Sequence, residues 1–384
     1  MNSQRWLSLN FYTFFFTWGI FLPYWTGWLI AEKNLSVSAA SMIMGTGMIV
    51  RACSTLFLFP LFTRIYSLSV VMKCLAVGSL GVVLLYISFD TYSSLFIITV
   101  LFSAVYPNLL PAMESSASVL VSTGKIHYGR SRSWGSLGYT IALLIVGAGT
   151  ALFQEAAILW LMIIGLVAIV FSQFQAAPVV LHVKAKLINQ VDEKGSLNKL
   201  FASEGFVIVL LISILLQGSH ASYYNYGFVY LQDLGVDSFY IGLILNVAIV
   251  CEIVFFTKVD QFFSKMKIST MYSIAAIGST VRWVMIYLFP NVVVFIFSQA
   301  LHVLSFGVAH YAFIQYISQK LKPNQIPTAQ GMYAAFAMSL SIALLTFLGG
   351  FLYEVSPKLS FLGMTLSSVP ALLLTLFTMR KYNY

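Results

Sequence analysis

Charge is what this sequence has least of. Lysine, arginine, aspartate and glutamate make up 9% of its 384 residues, against about 25% in soluble domains. With 59% of residues hydrophobic, too few polar groups remain to cover a surface in water, so the solvent is lipid. Cysteine is scarce too. Cys53, Cys74 and Cys251 are an odd number at no metal-ligand spacing, give no disulfide framework, and read as small hydrophobes. Also missing are a phosphate-binding loop, a zinc pair and a serine elbow, so no soluble-enzyme chemistry is expected. The longest polar stretch, "LHVKAKLINQVDEKGSLNKLFASEG", is too short for a nucleotide-binding domain. Any transport is therefore secondary or facilitated; no cofactor is expected, and an active carrier would draw on a proton gradient.

Apolar runs are what the chain does have. A spanning helix needs about 20 such residues. Twelve runs qualify, at roughly 6–30, 38–62, 68–88, 93–121, 130–153, 156–179, 205–231, 238–257, 268–289, 291–317, 326–352 and 359–379. They are continuous, unlike the alternating segments of about ten residues in a membrane β-barrel. The first lacks a basic region followed by a cleavage site and is expected to be a retained span. The fold class expected is an all-α membrane protein of twelve transmembrane helices in two six-helix bundles, 1–180 and 205–384, joined by a cytoplasmic linker, 181–204. A duplicated six-span unit places a substrate site near the midplane where the halves meet.

The net charge of +9 reports topology rather than nucleic acid. With the N-terminus inside, every basic residue except Lys33, Lys358, Arg51 and Arg282 falls in an inner loop, a tail or the inner end of span three or five. The outer loops carry Glu32, Asp90, Glu155, Asp233, Asp237 and Glu354. This is the positive-inside bias, and it puts both termini in the cytoplasm. The expected partners are the lipid bilayer, a small-molecule substrate and protons, with the chain acting as a monomer.

Few ionisable groups remain inside the spans, where each is costly and usually functional. Glu114 and Arg132 flank the short turn between spans four and five, at depths of about 12 and 9 Å at 1.5 Å per residue. Adjacent antiparallel helices should bring them together, so Arg132 meets either Glu114 or an anionic substrate. Arg130 is positioned to snorkel to the surface. In the second half, His220 of "QGSHASYYNYGF", Arg282 of "STVRWVM" and His302 of "ALHVLSFGVAH" fall near mid-membrane, and Glu252 lies nearer the inner side. A carboxylate, a guanidinium and two imidazoles in one cavity can load and release protons, since imidazole titrates near neutrality. Glu252, His302 and Glu114 are the candidate proton carriers. Mutual neutralisation of Glu252 and Arg282 is the structural alternative. Arg51, in "MIVRACS", has no local partner, so it binds substrate or pairs with an acid across the bundle. Tyr12 and Tyr224 carry polar groups at depths a ligand can use, as do Tyr223 and Asn225. His310 reads as structural.

Five stretches, "RWLSLNFYTFFFTWGIFLPYW", "YGRSRSWGSLGY", "LQGSHASYYNYGFVY", "VRWVMIY" and "AQGMYAAFAMSLSIALLTFLGGFLYE", give the chain a resemblance to the major facilitator superfamily. The branch is the one containing lactose permease and the 3-phenylpropionic acid transporters. The resemblance to the latter spans essentially the whole chain. It implies proton-coupled import of a small aromatic carboxylate across a bacterial inner membrane, with a sugar or nucleoside symporter as the alternative. It also implies substrate contacts at Glu114 and Arg132, and equivalents of lactose permease residues at Arg282, His302 and Glu252. Two positions depart from lactose permease: its lysine before the histidine is Gln299 here, and its glutamate after it is Ser305. The resemblance therefore does not carry the proton site across.

Overall fold

Short polar side chains start several of the helices. Asn2 Oδ1 accepts from the Gln4 amide at 3.0 Å, Ser36 Oγ from Ala39 at 3.1 Å, Thr91 Oγ1 from Ser94 at 3.3 Å and Asn291 Oδ1 from Val294 at 3.0 Å. Each satisfies an N–H that the first turn leaves free. Further in, lipid offers no partner to the backbone, and helices satisfy it internally. The structure, a computed structural model, describes residues 2–122, 126–182, 198–322 and 325–382, with no strand among them.

Twelve helical spans result among the described residues: Ser3–Ala31, Val37–Ile65, Leu68–Ile87, Tyr92–Val121, Tyr128–Phe153, Ala156–Phe174, Glu204–Asp233, Ser238–Val259, Ile268–Leu288, Val292–Lys320, Ile326–Val355 and Pro357–Tyr382. They are called spans one to twelve below. The chain divides into two compact units, Met1–Asn189 with Asp237–Leu243, and Gln190–Val236 with Ile244–Tyr384. The expected linker, 181–204, falls mostly outside the described residues.

Span one is the packing axis of the first unit. Its Phe14, Trp18, Phe21, Trp25 and Trp28 form a ring ladder with Tyr86, Phe102 and Tyr106, with centroids 5.2 Å apart for Phe14–Tyr106 and 5.1 Å for Trp25–Tyr86. Lipid tails are as apolar as these rings, so close packing rather than water exclusion holds the helices together. Spans one and five touch through small residues. A Cβ on Gly19 would sit 3.0 Å from Ala142 Cβ, and one on Gly138 would run into the Tyr12 carbonyl oxygen. Because that obstacle is backbone, Gly138→Ala is expected to destabilise by about 1–3 kcal/mol, the usual cost of overpacking. Thermal unfolding in detergent checks this; an unchanged Tm would contradict it.

The second unit buries Phe206, Leu216, Tyr272, Phe313 and Met332 in one cluster, while Phe297 and Phe377 stand exposed, as lipid-facing residues should. Several spans depart from a regular α-helix. Span seven breaks at Ser219–His220, between helices Glu204–Gly218 and Ala221–Asp233. Span four tightens at Tyr106–Asn108 around Pro107. Span two widens into a π-helical turn at Ser54–Leu58, and span ten does so at Val303–Val308. Another π-helical stretch, Tyr333–Leu340, lies in span eleven. Such interruptions often mark functional sites.

Candidate substrate and proton sites

The break in span seven presents the His220 ring. Its Nδ1 lies 3.0 Å from the Leu216 carbonyl oxygen, and its Nε2 lies 3.0 Å from Ser305 Oγ. A carbonyl only accepts, so Nδ1 carries the hydrogen and Nε2 accepts from Ser305. Ser305 sits in the widened turn of span ten, where its oxygen takes a long contact from Arg282 Nη1 at 3.4 Å. The same Nη1 donates to His302 Nδ1 at 3.0 Å. Since a guanidinium only donates, the proton of neutral His302 is on Nε2. That nitrogen faces Glu252 Oε2 at 3.8 Å.

The side chains thus form a directed chain: Arg282 to His302, and His302 toward Glu252. With its Nδ1 held as an acceptor, His302 becomes imidazolium only by giving up Arg282. Glu252 keeps 26% of its side chain exposed, against 4% for His302.

Arg282 is 0% exposed, between the rings of Tyr223 at 4.4 Å and Trp283 at 4.5 Å. Cation–π contacts of this kind help offset the burial of a charge. Its Nε and Nη2 have no hydrogen-bond partner among the described residues. Tyr223 is held in turn by its hydroxyl, which donates to Gln299 Oε1 at 2.8 Å. Tyr224, half-buried, lies beside His220 with centroids 5.8 Å apart.

In the first unit, Arg132 Nε lies 3.7 Å from Glu114 Oε1, with side chains 35% and 38% exposed. The Tyr128 hydroxyl donates to Glu114 Oε2 at 2.9 Å, and the Arg132 guanidinium rests on the Phe15 ring at 4.1 Å. The turn between these spans, 123–125, is outside the described residues. Arg130 is exposed, as a snorkelling residue should be.

The candidate residues therefore gather in two groups. Glu114 and Arg132 meet. So do His220, Arg282, His302 and Glu252, with Tyr224 at their edge. Tyr12 stands apart, its ring against Phe16 at 6.5 Å and Trp134 at 6.4 Å. Arg51 joins neither group. Asn225 is occupied, donating to the Ala221 carbonyl oxygen and to Thr346 Oγ1, both at 2.9 Å. His310 Nδ1 lies 3.0 Å from the Tyr333 hydroxyl.

Tyr128, Ser305 and Gln299 were not among the candidates read from the sequence. Ser305 and Gln299 read as departures from lactose permease, yet the one joins His220 to Arg282 and the other fixes the ring that Arg282 packs on. Their spacing around His302, in "QALHVLS", is the signal by which a sequence reading could find them.

Comparison with known proteins matches residues 5–363 to the model of the MFS_1 like family. A probable 3-phenylpropionic acid transporter of Escherichia coli (strain K12) is 28% identical over 97% of both chains. A maltose permease of Geobacillus stearothermophilus is 26% identical over 90% of this chain and 86% of its own length. Among solved structures, the crystal structure of the nucleoside transporter NupG superposes with a TM-score of 0.81, covering 100% of both chains at 15% identity. A point mutant of the peptide transporter POT gives 0.76, covering 98% of this chain and 93% of that one at 11% identity. At these identities the superpositions speak for the fold alone.

Proposed function

The chain belongs to the MFS_1 like family and is a membrane transporter rather than an enzyme, and from that premise we propose that it imports a small organic acid together with protons. The substrate class is an aromatic carboxylate of the 3-phenylpropionate kind, and the route is alternating access. The setting proposed is a bacterial inner membrane, with both termini cytoplasmic and the chain acting as a monomer.

One observation carries this reading: a fully buried Arg282 linked through His302 to Glu252. While Glu252 is ionised, its charge offsets that of Arg282. Once Glu252 takes a proton, the group carries an uncompensated positive charge in a low-dielectric interior, which favours entry of an anion. By linkage the bound anion holds the proton equally well. Proton and anion thus load together, as symport requires. His302 orients Glu252, while His220 and Ser305 hold Arg282 in place. Within the first unit, Glu114 and Arg132 with Tyr128 supply polar contacts and the Tyr12 ring suits an aryl group; within the second, the Tyr224 ring does.

Uptake of labelled 3-phenylpropionate into proteoliposomes tests the proposal. Accumulation is expected under an inward proton gradient and should vanish with a protonophore. Equal uptake with and without the gradient, by protein shown to be folded, would overturn it. A sugar or nucleoside symporter draws on a different observation. The Glu114–Arg132–Tyr128 set offers both donors and acceptors, as hydroxyl groups need, and one relative is a maltose permease. Gradient-driven uptake of maltose or uridine by the same vesicles, with none of the acid, would favour that reading.

A further inference from the structure

Of the three arginines read as lying at depth, two already face a carboxylate or an imidazole. Arg132 has Glu114, and Arg282 has His302 with Glu252 beyond it. Arg51, in span two, faces neither a carboxylate nor an imidazole among the described residues. Its guanidinium packs on the Trp18 ring at 4.8 Å, and its Nη1 lies 4.0 Å from the Met48 sulfur. A thioether is a weak acceptor and does little for a cation in the membrane.

Arg51 is also reachable. Arg282 is sealed between two rings, whereas Arg51 is half-buried and lines a cavity with Trp18, Met44, Gly47, Met48 and Ser103. The local backbone is built for it. Just past Arg51, span two widens at Ser54–Leu58, opposite the point where span four tightens at Tyr106–Asn108. The two irregular turns are clipped together. Asn108 Nδ2 donates to Ser54 Oγ at 2.6 Å and to the Ala104 carbonyl oxygen at 2.7 Å, while Thr55 Oγ1 donates to Asn108 Oδ1 at 3.1 Å.

We infer that Arg51 is the clamp for the carboxylate of the transported acid, with Trp18 as the aromatic support that holds the guanidinium in place. This rests on the transport of an organic acid proposed above. A buried cation without a fixed counter-ion is costly, and an anionic substrate supplies the counter-ion only while bound. The guanidinium fork matches a carboxylate with two parallel hydrogen bonds, and a lysine cannot reproduce that geometry. The cavity holds about 10 Å³, room for roughly one water-sized group. It admits one carboxylate oxygen and leaves the second oxygen, on the other arm of the fork, and the aryl ring at its mouth.

Binding to purified, full-length protein by isothermal titration tests the inference, with 3-phenylpropionate and its uncharged counterpart 3-phenyl-1-propanol as probes. Wild-type protein is expected to bind the acid more tightly than the alcohol. Arg51→Gln should weaken the acid by roughly 10- to 100-fold, the loss of charge-assisted hydrogen bonds, and leave the alcohol unchanged. Arg51→Lys should fall between the two, and it decides the matter if the glutamine variant does not fold. Acid binding unchanged in either folded variant overturns the clamp alone. Wild-type protein that binds no organic acid overturns the transport proposal and the clamp with it.

Discussion

Glu252→Gln is expected to abolish accumulation while leaving exchange intact. Glutamine keeps the size and hydrogen-bonding capacity of the side chain but takes up no proton. A gradient of two pH units is worth about 2.7 kcal/mol per proton, hence roughly 100-fold accumulation for one coupled proton. In the variant this ratio should collapse to about 1, because no proton loads with the acid. Counterflow, in which labelled acid enters against unlabelled acid inside, needs no net proton movement and should persist within a factor of a few. Parallel loss of both activities would assign Glu252 to binding or folding instead of coupling. The expectation follows from position: Glu252 is the partly exposed end of a chain whose other end, Arg282, is sealed.

Arg282→Met is expected to cost about 100-fold in transport without lowering the Tm. The transport loss follows from removing the donor to His302 Nδ1 and the charge that Glu252 offsets, at about 1.5–3 kcal/mol for each charge-assisted hydrogen bond. The stability expectation has the opposite sign from intuition. Two guanidinium nitrogens lack partners among the described residues, so an apolar side chain of similar volume relieves a desolvation penalty, while Glu252, left without its opposite charge, is partly exposed and can take a proton instead of remaining a buried, unpaired ion. Methionine also packs well against the Tyr223 and Trp283 rings. Arg282→Lys should restore little, since a point charge cannot pack flat between two rings while reaching His302. Uptake and thermal unfolding on the same preparation check both halves. A variant that transports normally, or one that is inactive because it has unfolded, would contradict the role given to Arg282.

Much of the architecture was legible because lipid imposes its own arithmetic on a helix. Each of the twelve apolar runs corresponds to a span, with differences confined to the ends. The Glu114–Arg132 contact followed from equal depth on neighbouring helices. The approach of Arg282 to His302 followed from mid-membrane placement and from the resemblance. The break at Ser219–His220 was not legible, because "LLQGSHAS" contains no proline and its apolar context continues on both sides. The widened turns after Arg51 and His302 left no trace in composition either. A π-helical turn is set by what packs against it, here Asn108 on Ser54 and Arg282 on Ser305. Trp18, the support for Arg51, comes from another span, and sequence periodicity cannot reveal that pairing.

Proton uptake on ligand binding is the most direct measure of coupling in this molecule. Purified protein in weakly buffered solution near neutrality should take up about one proton for each 3-phenylpropionate bound, read with a pH indicator dye, and Glu252→Gln should take up none. The same uptake in wild type and variant would contradict the account and move the proton to another group.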